Sequence, residues 1–136
     1  MCNKIYDILY VEDEPIQRAF FDILVRYEKT EHKVDFNANV VFADSVPDAK
    51  SFIESAHYDV VITDYHLHAQ FGTELAEWIR TCYKTRKEKR PMIILHSAVF
   101  FNAEQIDTQH IDAILQKPLS LPRLKEEILK YEAAND

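Results

Sequence analysis

The chain has 136 residues, of which 47% are hydrophobic and 29% are charged. These values are typical of one globular domain with its own core, and they exclude an intrinsically disordered chain. The formal net charge of -7 argues against general affinity for nucleic acid, because a phosphate backbone recruits basic surfaces.

Neither a membrane-spanning segment nor a secretory signal is predicted. No apolar run approaches the roughly 20 residues that cross a bilayer, and the first residues lack the apolar stretch of a signal peptide. Cys2 and Cys82 offer neither a disulfide framework nor a metal-ligand spacing. We therefore expect a single cytoplasmic domain over residues 1–136, with no output domain in this chain and no membrane or nucleic-acid partner.

Five apolar runs of strand length alternate with helical patterns. In chain order, the predicted strands are Ile5–Val11, Val40–Ala43, Tyr58–Asp64, Pro91–His96 and Ile111–Gln116. The third run carries branched apolar residues in succession, which is typical of a strand covered on both faces. Such strands occur in parallel sheets that are wrapped by helices.

The first helix is predicted to begin near Pro15, which suits a helix's first turn. Its apolar residues recur at helical spacing on one face, and Phe20 on that face is expected to lie in the core. Residues 30–39 are weakly patterned and polar, so a loop is predicted there. Ser45 can cap the second helix, and Pro47 suits the first turn of that helix.

The last two helices differ in the strength of their patterns. Residues 102–109 are predicted to form a short, lightly anchored fourth helix. Ser120 can cap the fifth, whose apolar positions, Leu129 among them, form an inward face. Five strands alternating with five helices imply an α/β fold, in which a parallel sheet is doubly wound with helices on both faces.

Polar side chains stand where the predicted strands end. Glu12 and Asp13 follow the first strand, Asp64 closes the third, Ser97 follows the fourth and Lys117 follows the fifth. Open α/β sheets bind their ligands at the carboxyl ends of the strands. One such residue is common in a solvated loop, but four strand ends together indicate a site.

The charges of that site favour a metal ion and a phosphoryl group. Three clustered carboxylates repel one another unless a divalent cation joins them, and oxygen ligands with room for water suit Mg²⁺. Lys117 and the metal would neutralise the acids and support an incoming phosphoryl group, to which the Ser97 hydroxyl could donate. Asp64 would then be the nucleophile that forms an acyl phosphate.

Two other polar features have simpler interpretations. His66, His68 and His96 raise the alternative of a transition-metal site, since His-x-His is a recurrent ligand pattern, but no clear third ligand accompanies the pair in the loop. Residues 84–90 contain five basic side chains and one acidic, and we interpret them as a solvated loop rather than a binding patch.

As a set, these motifs resemble a response-regulator receiver domain of the chemotaxis-regulator (CheY-like) type, and the resemblance covers essentially the whole chain. It rests on the acidic pair Glu12-Asp13, on Asp64, on Gly72 eight residues later, and on the pairs Ser97-Ala98 and Lys117-Pro118. The resemblance implies a flavodoxin-like fold with strand order 2-1-3-4-5. It also implies that Asp64 is the phosphoacceptor in a two-component system.

The resemblance further implies a ligand set. Asp13, Asp64 and the backbone carbonyl of His66 would bind Mg²⁺ directly, and Glu12 would act mainly through water. Ser97 and Lys117 would bind the phosphoryl group, and the peptide bond between Lys117 and Pro118 would be cis.

Several positions depart from the family's pattern. His68 stands where a proline is frequent, while His66 and Val99 occupy positions that bear on access of the hydrolytic water. Ile114 stands where the family usually has a switching aromatic residue. Because a β-branched side chain is stiff about its first torsion, the movement on the fifth strand should be small.

Three functional classes follow from these residues. The favoured one is a signalling module, not an enzyme, that takes phosphate from a histidine kinase or a histidine phosphotransfer protein. It would then bind a separate protein, or pair with itself, through the predicted fourth helix, fifth strand and fifth helix. The alternatives are a phosphohydrolase with an aspartate nucleophile and a pseudo-receiver that serves only as an interaction domain.

Overall fold

The computed structural model describes residues 4–31, 34–67, 70–98 and 109–135. The helices within these ranges are α1 (Pro15–Glu31), α2 (Val46–Ser55), α3 (Gly72–Tyr83) and α4 (Leu121–Asn135). The strands are β1 (Ile5–Val11), β2 (Asn37–Ala43), β3 (Val60–Asp64), β4 (His66–Leu67), β5 (Gln70–Phe71), β6 (Met92–Ser97) and β7 (Ala113–Gln116).

The main sheet has five strands in the order β2-β1-β3-β6-β7, and every neighbouring pair is parallel. This is the order 2-1-3-4-5 that the resemblance implies, so the predicted doubly wound α/β fold is confirmed. The short strands β4 and β5 form a separate antiparallel pair just after β3. Parallel strands place their carboxyl ends at one edge of the sheet.

The sheet separates two apolar cores. One contains buried side chains of β1 together with those of α1 and α4, including Phe21, Leu124 and Ile128. The other lies against α2 and α3 and contains residues such as Ile53 and Ile79. Burial on both faces explains why the central strands are almost continuously apolar.

The prediction for the core-facing side of α1 was wrong. Ile16, Phe20, Ile23 and Tyr27 are each more than half exposed, whereas Phe21 is buried against the sheet. Apolar residues occur on both sides of this helix, so the spacing alone gave two possible faces. The sheet takes the side that carries Phe21 and Val25.

Other differences concern the ends of elements. Part of the predicted loop at residues 30–39 belongs to regular structure, since α1 ends at Glu31 and β2 begins at Asn37. The polar residues that start β2 pair with β1, from Ile5 opposite Asn37 onward. The predicted fourth helix at 102–109 lies outside the described residues except for Gln109, which stands in a turn.

The helix caps and the inward face of α4 give a mixed result. The Ser45 hydroxyl accepts a hydrogen bond from the Asp48 amide at 3.2 Å, and the Ser120 hydroxyl accepts one from the Arg123 amide at 3.4 Å, so both predicted caps are confirmed. Leu129, predicted to face inward, is 49% exposed.

Gly72 is where α3 begins, directly against the end of β3. A β-carbon at this position would collide with the backbone carbonyl oxygen of Asp64 and would lie 2.9 Å from the Thr63 Oγ1. The Gly72 amide also donates to the carbonyl oxygen of Tyr65 at 2.7 Å. The glycine is therefore required by close packing of two backbone segments beside Asp64.

We predict that Gly72→Ala destabilises the fold by about 1–3 kcal/mol, because the new methyl group must push α3 away from β3. Urea unfolding followed by circular dichroism measures this change. Glu77→Ala, at an exposed position of the same helix, is the control. Equal stability of the two variants would show that α3 can move without cost.

Candidate functional site

The register of the sheet brings the predicted site residues together. Val11 lies opposite Thr63, so the next residues of those strands, Glu12 and Asp64, meet at the carboxyl edge. Ser97 pairs with Gln116, which places Lys117 just beyond the same edge. Residues distant in sequence are thus adjacent because parallel strands end in line.

Glu12, Asp13 and Asp64 form a compact acidic group. Each offers a carboxylate oxygen within 4.8 Å of the others. The Lys117 Nζ lies 2.6 Å from a Glu12 carboxylate oxygen and 3.7 Å from one of Asp64. The ammonium group of Lys117 therefore lies beside two of the three carboxylates.

Burial sets the protonation behaviour of these acids. Glu12 is 1% exposed, and burial raises the pKa of its carboxyl group even though Lys117 lowers it. Burial also raises the pKa of Asp64, against the opposing effects of Lys117 and of the hydrogen bond from the Tyr65 amide. Both acids would gain from a further positive charge at the site.

The backbone around the acids is held by several hydrogen bonds. Arg18 donates to the Glu12 carbonyl oxygen at 2.7 Å, and the Glu12 amide donates to the Ala43 carbonyl oxygen at 2.9 Å. The Asp64 carboxylate accepts from the Tyr65 amide at 2.9 Å. These contacts fix the strand ends that carry the acids.

The remaining predicted residues lie around this group. Ser97 is buried at the end of β6, and its carbonyl oxygen accepts a hydrogen bond from the Lys117 amide at 2.7 Å. The peptide bond between Lys117 and Pro118 is cis. His66 follows Asp64 by two residues in β4, and its ring lies against those of Tyr65 and Phe71. Ile114 is 41% exposed on β7.

Neither His66 nor His96 belongs to a cluster of potential metal ligands among the described residues. The one cluster of potential metal ligands in those ranges consists of Glu12, Asp13 and Asp64. His66 is exposed in β4, while His96 is buried in β6. His68 and Val99 lie outside the described residues.

Two polar contacts, one beside the site and one at the opposite edge of the sheet, escaped prediction. The His96 side chain is only 4% exposed, and its Nδ1 lies 3.4 Å from the hydroxyl oxygen of Tyr10. Arg90, assigned to a solvated loop, forms two hydrogen bonds of 2.8 and 2.9 Å with the carboxylate of Asp112. A histidine in an otherwise apolar run was the available sequence signal for the contact between His96 and Tyr10. The pairing of Arg90 with Asp112 depends on which loops meet in the fold.

The family of the chain follows from comparison with known sequences. The sequence matches the response regulator receiver domain over residues 8–129, which is most of its length. The chain belongs to this receiver-domain family. A comparison with curated protein sequences gave no significant match.

Solved receiver structures share the fold. The response regulator TrrA of Thermotoga maritima, in complex with Mg²⁺-BeF, is 26% identical; the match covers 92% of this chain and 97% of TrrA, with a TM-score of 0.73. A receiver domain of a sensor histidine kinase from Pseudomonas aeruginosa, with magnesium in its active-site cleft, is 19% identical over 94% of this chain and 98% of that one, with a TM-score of 0.73.

A third solved structure shares the fold. A chemotaxis response regulator of Vibrio cholerae is 20% identical over 96% of this chain and 98% of its own, with a TM-score of 0.64.

None of the helices in the described ranges of the present receiver combines the length and apolar character that a membrane crossing requires.

Burial of His96 should make the stability of this receiver depend on pH. Burial, with a smaller effect from Lys117, lowers the pKa of His96 from 6.5 to about 4. Between these values the unfolded chain takes up a proton that the folded imidazole does not. The free energy of unfolding should therefore fall as the pH drops through this window, by up to about 3 kcal/mol from this group.

We predict that His96→Leu flattens the dependence of stability on pH between pH 6.5 and 4. Urea unfolding at several pH values gives the slopes for the two proteins. His57→Leu, which removes an exposed histidine, controls for the loss of an imidazole. A slope for His96→Leu equal to that of the unaltered chain would show that the buried ring is not the source.

Proposed function

We propose that this receiver is a cytoplasmic two-component response-regulator domain that accepts a phosphoryl group on Asp64 from a histidine kinase or a histidine phosphotransfer protein. The observation that supports this function best is the meeting of Glu12, Asp13 and Asp64 with Lys117 at one sheet edge. Carboxylates and a lysine in this arrangement suit a metal ion and a phosphoryl group together.

The residues present fit Mg²⁺. The candidate ligands are carboxylate oxygens, which this hard cation prefers, and the partly exposed Asp13 and Asp64 leave room for water. Asp13, Asp64 and the His66 carbonyl are the proposed direct ligands, with Glu12 acting mainly through water. When bound, the metal would neutralise charge on the acids and on the phosphoryl oxygens.

The proposed reaction is a direct transfer. A carboxylate oxygen of Asp64 forms a bond to phosphorus while the bond between phosphorus and the donor's imidazole nitrogen breaks. Lys117 binds a phosphoryl oxygen, for which its ammonium group must turn from Glu12 toward the incoming charge. Ser97 donates its hydroxyl to another phosphoryl oxygen. Nothing in this step requires a general base, since Asp64 reacts as a carboxylate.

The same side chains weigh against the two other functional classes. Phosphohydrolases with an aspartate nucleophile usually carry a second acid two residues later, where this chain has His66. A pseudo-receiver does not accept a phosphoryl group and so would not require the acids, the Ser97 hydroxyl and Lys117, all of which this chain retains. The proposed activity is therefore limited to the domain's own phosphorylation and dephosphorylation.

We predict that incubation with Mg²⁺ and acetyl phosphate adds one phosphoryl group, seen by intact-mass spectrometry, and that Asp64→Asn abolishes the addition because it removes the nucleophile. Asp13→Ala should reduce the addition strongly through loss of metal binding. Glu126→Gln, which changes an exposed acid on α4, is the control. Full phosphorylation of Asp64→Asn would place the phosphoacceptor elsewhere, and many turnovers of acetyl phosphate per chain would indicate a hydrolase.

An exposed apolar stripe on α1 supports docking of a helical protein donor. The stripe consists of Ile16, Phe20, Ile23 and Tyr27, which are between 52% and 78% exposed. Their spacing of four, three and four residues is the pattern by which one helix packs along another. Because α1 starts just after the acidic residues, a helix on this stripe would bring its histidine to Asp64.

We predict that Phe20→Ala slows phosphorylation by a phosphorylated histidine phosphotransfer protein by about tenfold, the loss typical of one aromatic anchor. Phosphorylation by acetyl phosphate should change little, since no protein docks in that reaction. Ile5→Ala removes an exposed apolar residue at the other end of β1 and is the control. Equal slowing with both phosphodonors would show damage to the site rather than to docking.

Output is proposed to use β7, α4 and the segment before β7. Ile114 on β7 and Leu129 on α4 are 41% and 49% exposed, which gives this face apolar contacts for a separate protein or a second copy. Ser97 would start the change on phosphorylation. Ile114 lacks the ring that switches in other receivers, so its contribution should be small.

A further inference from the structure

A depression of about 410 Å³ lies at the amino edge of the sheet, opposite the edge that carries Asp64. Its lining residues are basic or polar, and they come from three separate segments of the chain. They are Arg80, Tyr83 and Lys84 at the end of α3, Arg90 before β6, and Gln109 and His110 before β7. We call this feature the basic depression, and its volume is within the range of sites for small molecules.

The two arginines of the basic depression are held to different degrees. The Arg90 guanidinium donates two hydrogen bonds of 2.8 and 2.9 Å to the Asp112 carboxylate. Arg80 lies 3.5 Å from the same carboxylate, which is longer than the roughly 2.7–2.9 Å of a strong hydrogen bond between charged groups. Asp112 is therefore occupied mainly by Arg90, and Arg80 keeps most of its attraction for another anion.

Positive charge predominates in the basic depression, although the whole chain has a formal net charge of -7. Arg80, Lys84 and Arg90 each carry a full positive charge, and no acid is found among the described residues that line it. Within the described ranges, Asp112 is the carboxylate that forms ion pairs with the arginines, and it neutralises one charge of the three. The Arg86 guanidinium lies nearby, 4.7 Å from the centre of the Tyr83 ring.

Helix stabilisation explains only part of this arrangement. Basic side chains at the end of a helix interact favourably with its dipole, and this effect accounts for Arg80 and Lys84. It does not account for Arg90 and His110, which reach the same depression from two other segments. The sequence pattern alone favours a solvated loop for residues 84–90, because the contributions of Arg80 and His110 from outside that run depend on the fold.

We propose that the basic depression binds a compact oxyanion with at least two negative charges, such as a small phosphate ester, a diphosphate or a polycarboxylate. The planar guanidinium of Arg80 would bind two oxygens, and Lys84 would attract a third as a point charge. His110 can donate an N–H group to the same anion. The small volume suits such a ligand, whereas the net charge of the chain disfavours a long polyanion such as nucleic acid.

The test measures binding of pyrophosphate and of citrate through changes in backbone amide NMR shifts, at constant ionic strength and with no metal present. We expect saturable binding with a Kd below about 1 mM, and shifts at the end of α3 and in the residues before β6 and β7. Tighter binding of pyrophosphate would identify a phosphate ligand, and tighter binding of citrate a polycarboxylate. Since Asp64 lies at the other edge and no phosphodonor is present, the result is independent of phosphorylation.

Three variants with the same change of charge complete the test. Arg80→Gln should weaken binding about tenfold, through loss of charged hydrogen bonds. Lys84→Gln, at an exposed position, should weaken it about threefold and keeps the test valid if Arg80→Gln does not fold. Arg26→Gln, on α1 with a side chain that is 80% exposed, should leave the affinity unchanged. The proposal is overturned if neither anion saturates at millimolar concentration, if the shifts centre on Lys117, or if Arg26→Gln weakens binding as much as Arg80→Gln.

Discussion

The meeting of three carboxylates with one lysine at the carboxyl edge of the sheet is the constraint on which the site depends. Glu12 is almost fully buried, and burial of a carboxylate is unfavourable unless a positive charge or hydrogen bonds compensate it. Lys117 at 2.6 Å provides that compensation. Glu12 follows β1 and Lys117 follows β7, three positions along the sheet, and the two meet because the parallel strands end at one edge. The arrangement is therefore a product of the whole sheet rather than of any local motif.

Lys117 compensates the charge of the buried acids only in part. Its one positive charge is shared between Glu12 and Asp64, at 2.6 and 3.7 Å. The acids still keep raised pKa values, so burial outweighs the lysine in both. Additional positive charge would complete the balance, and additional negative charge on Asp64 would draw the lysine away from Glu12.

Much of this arrangement could be predicted from the sequence. The strands are short apolar runs that each end on a polar residue, and strand ends in a parallel sheet must lie together. The positions of Glu12, Asp64 and Lys117 therefore followed from strand assignment alone. The face of α1 that packs against the sheet could not be predicted in this way. Apolar residues on both sides of the helix allow two orientations, and only packing with the sheet selects one.

Partnerships between distant polar groups could not be predicted either. The pairing of Arg90 with Asp112 depends on how two loops approach at the amino ends of β6 and β7. The contact between Tyr10 and His96 depends on side chains that reach across β3 from strands on either side of it. Hydrophobic periodicity reports which residues are buried, but carries no information about which buried polar atoms meet.

The division of the interior into two cores has a consequence for how this receiver tolerates change. The sheet stands between the side chains that support α1 and α4 and those that support α2 and α3. Substitutions on opposite sides share few neighbours, so their effects on stability should be additive. Residues around α1 could therefore change to suit a different signalling partner, while the core against α2 and α3 continued to stabilise the fold.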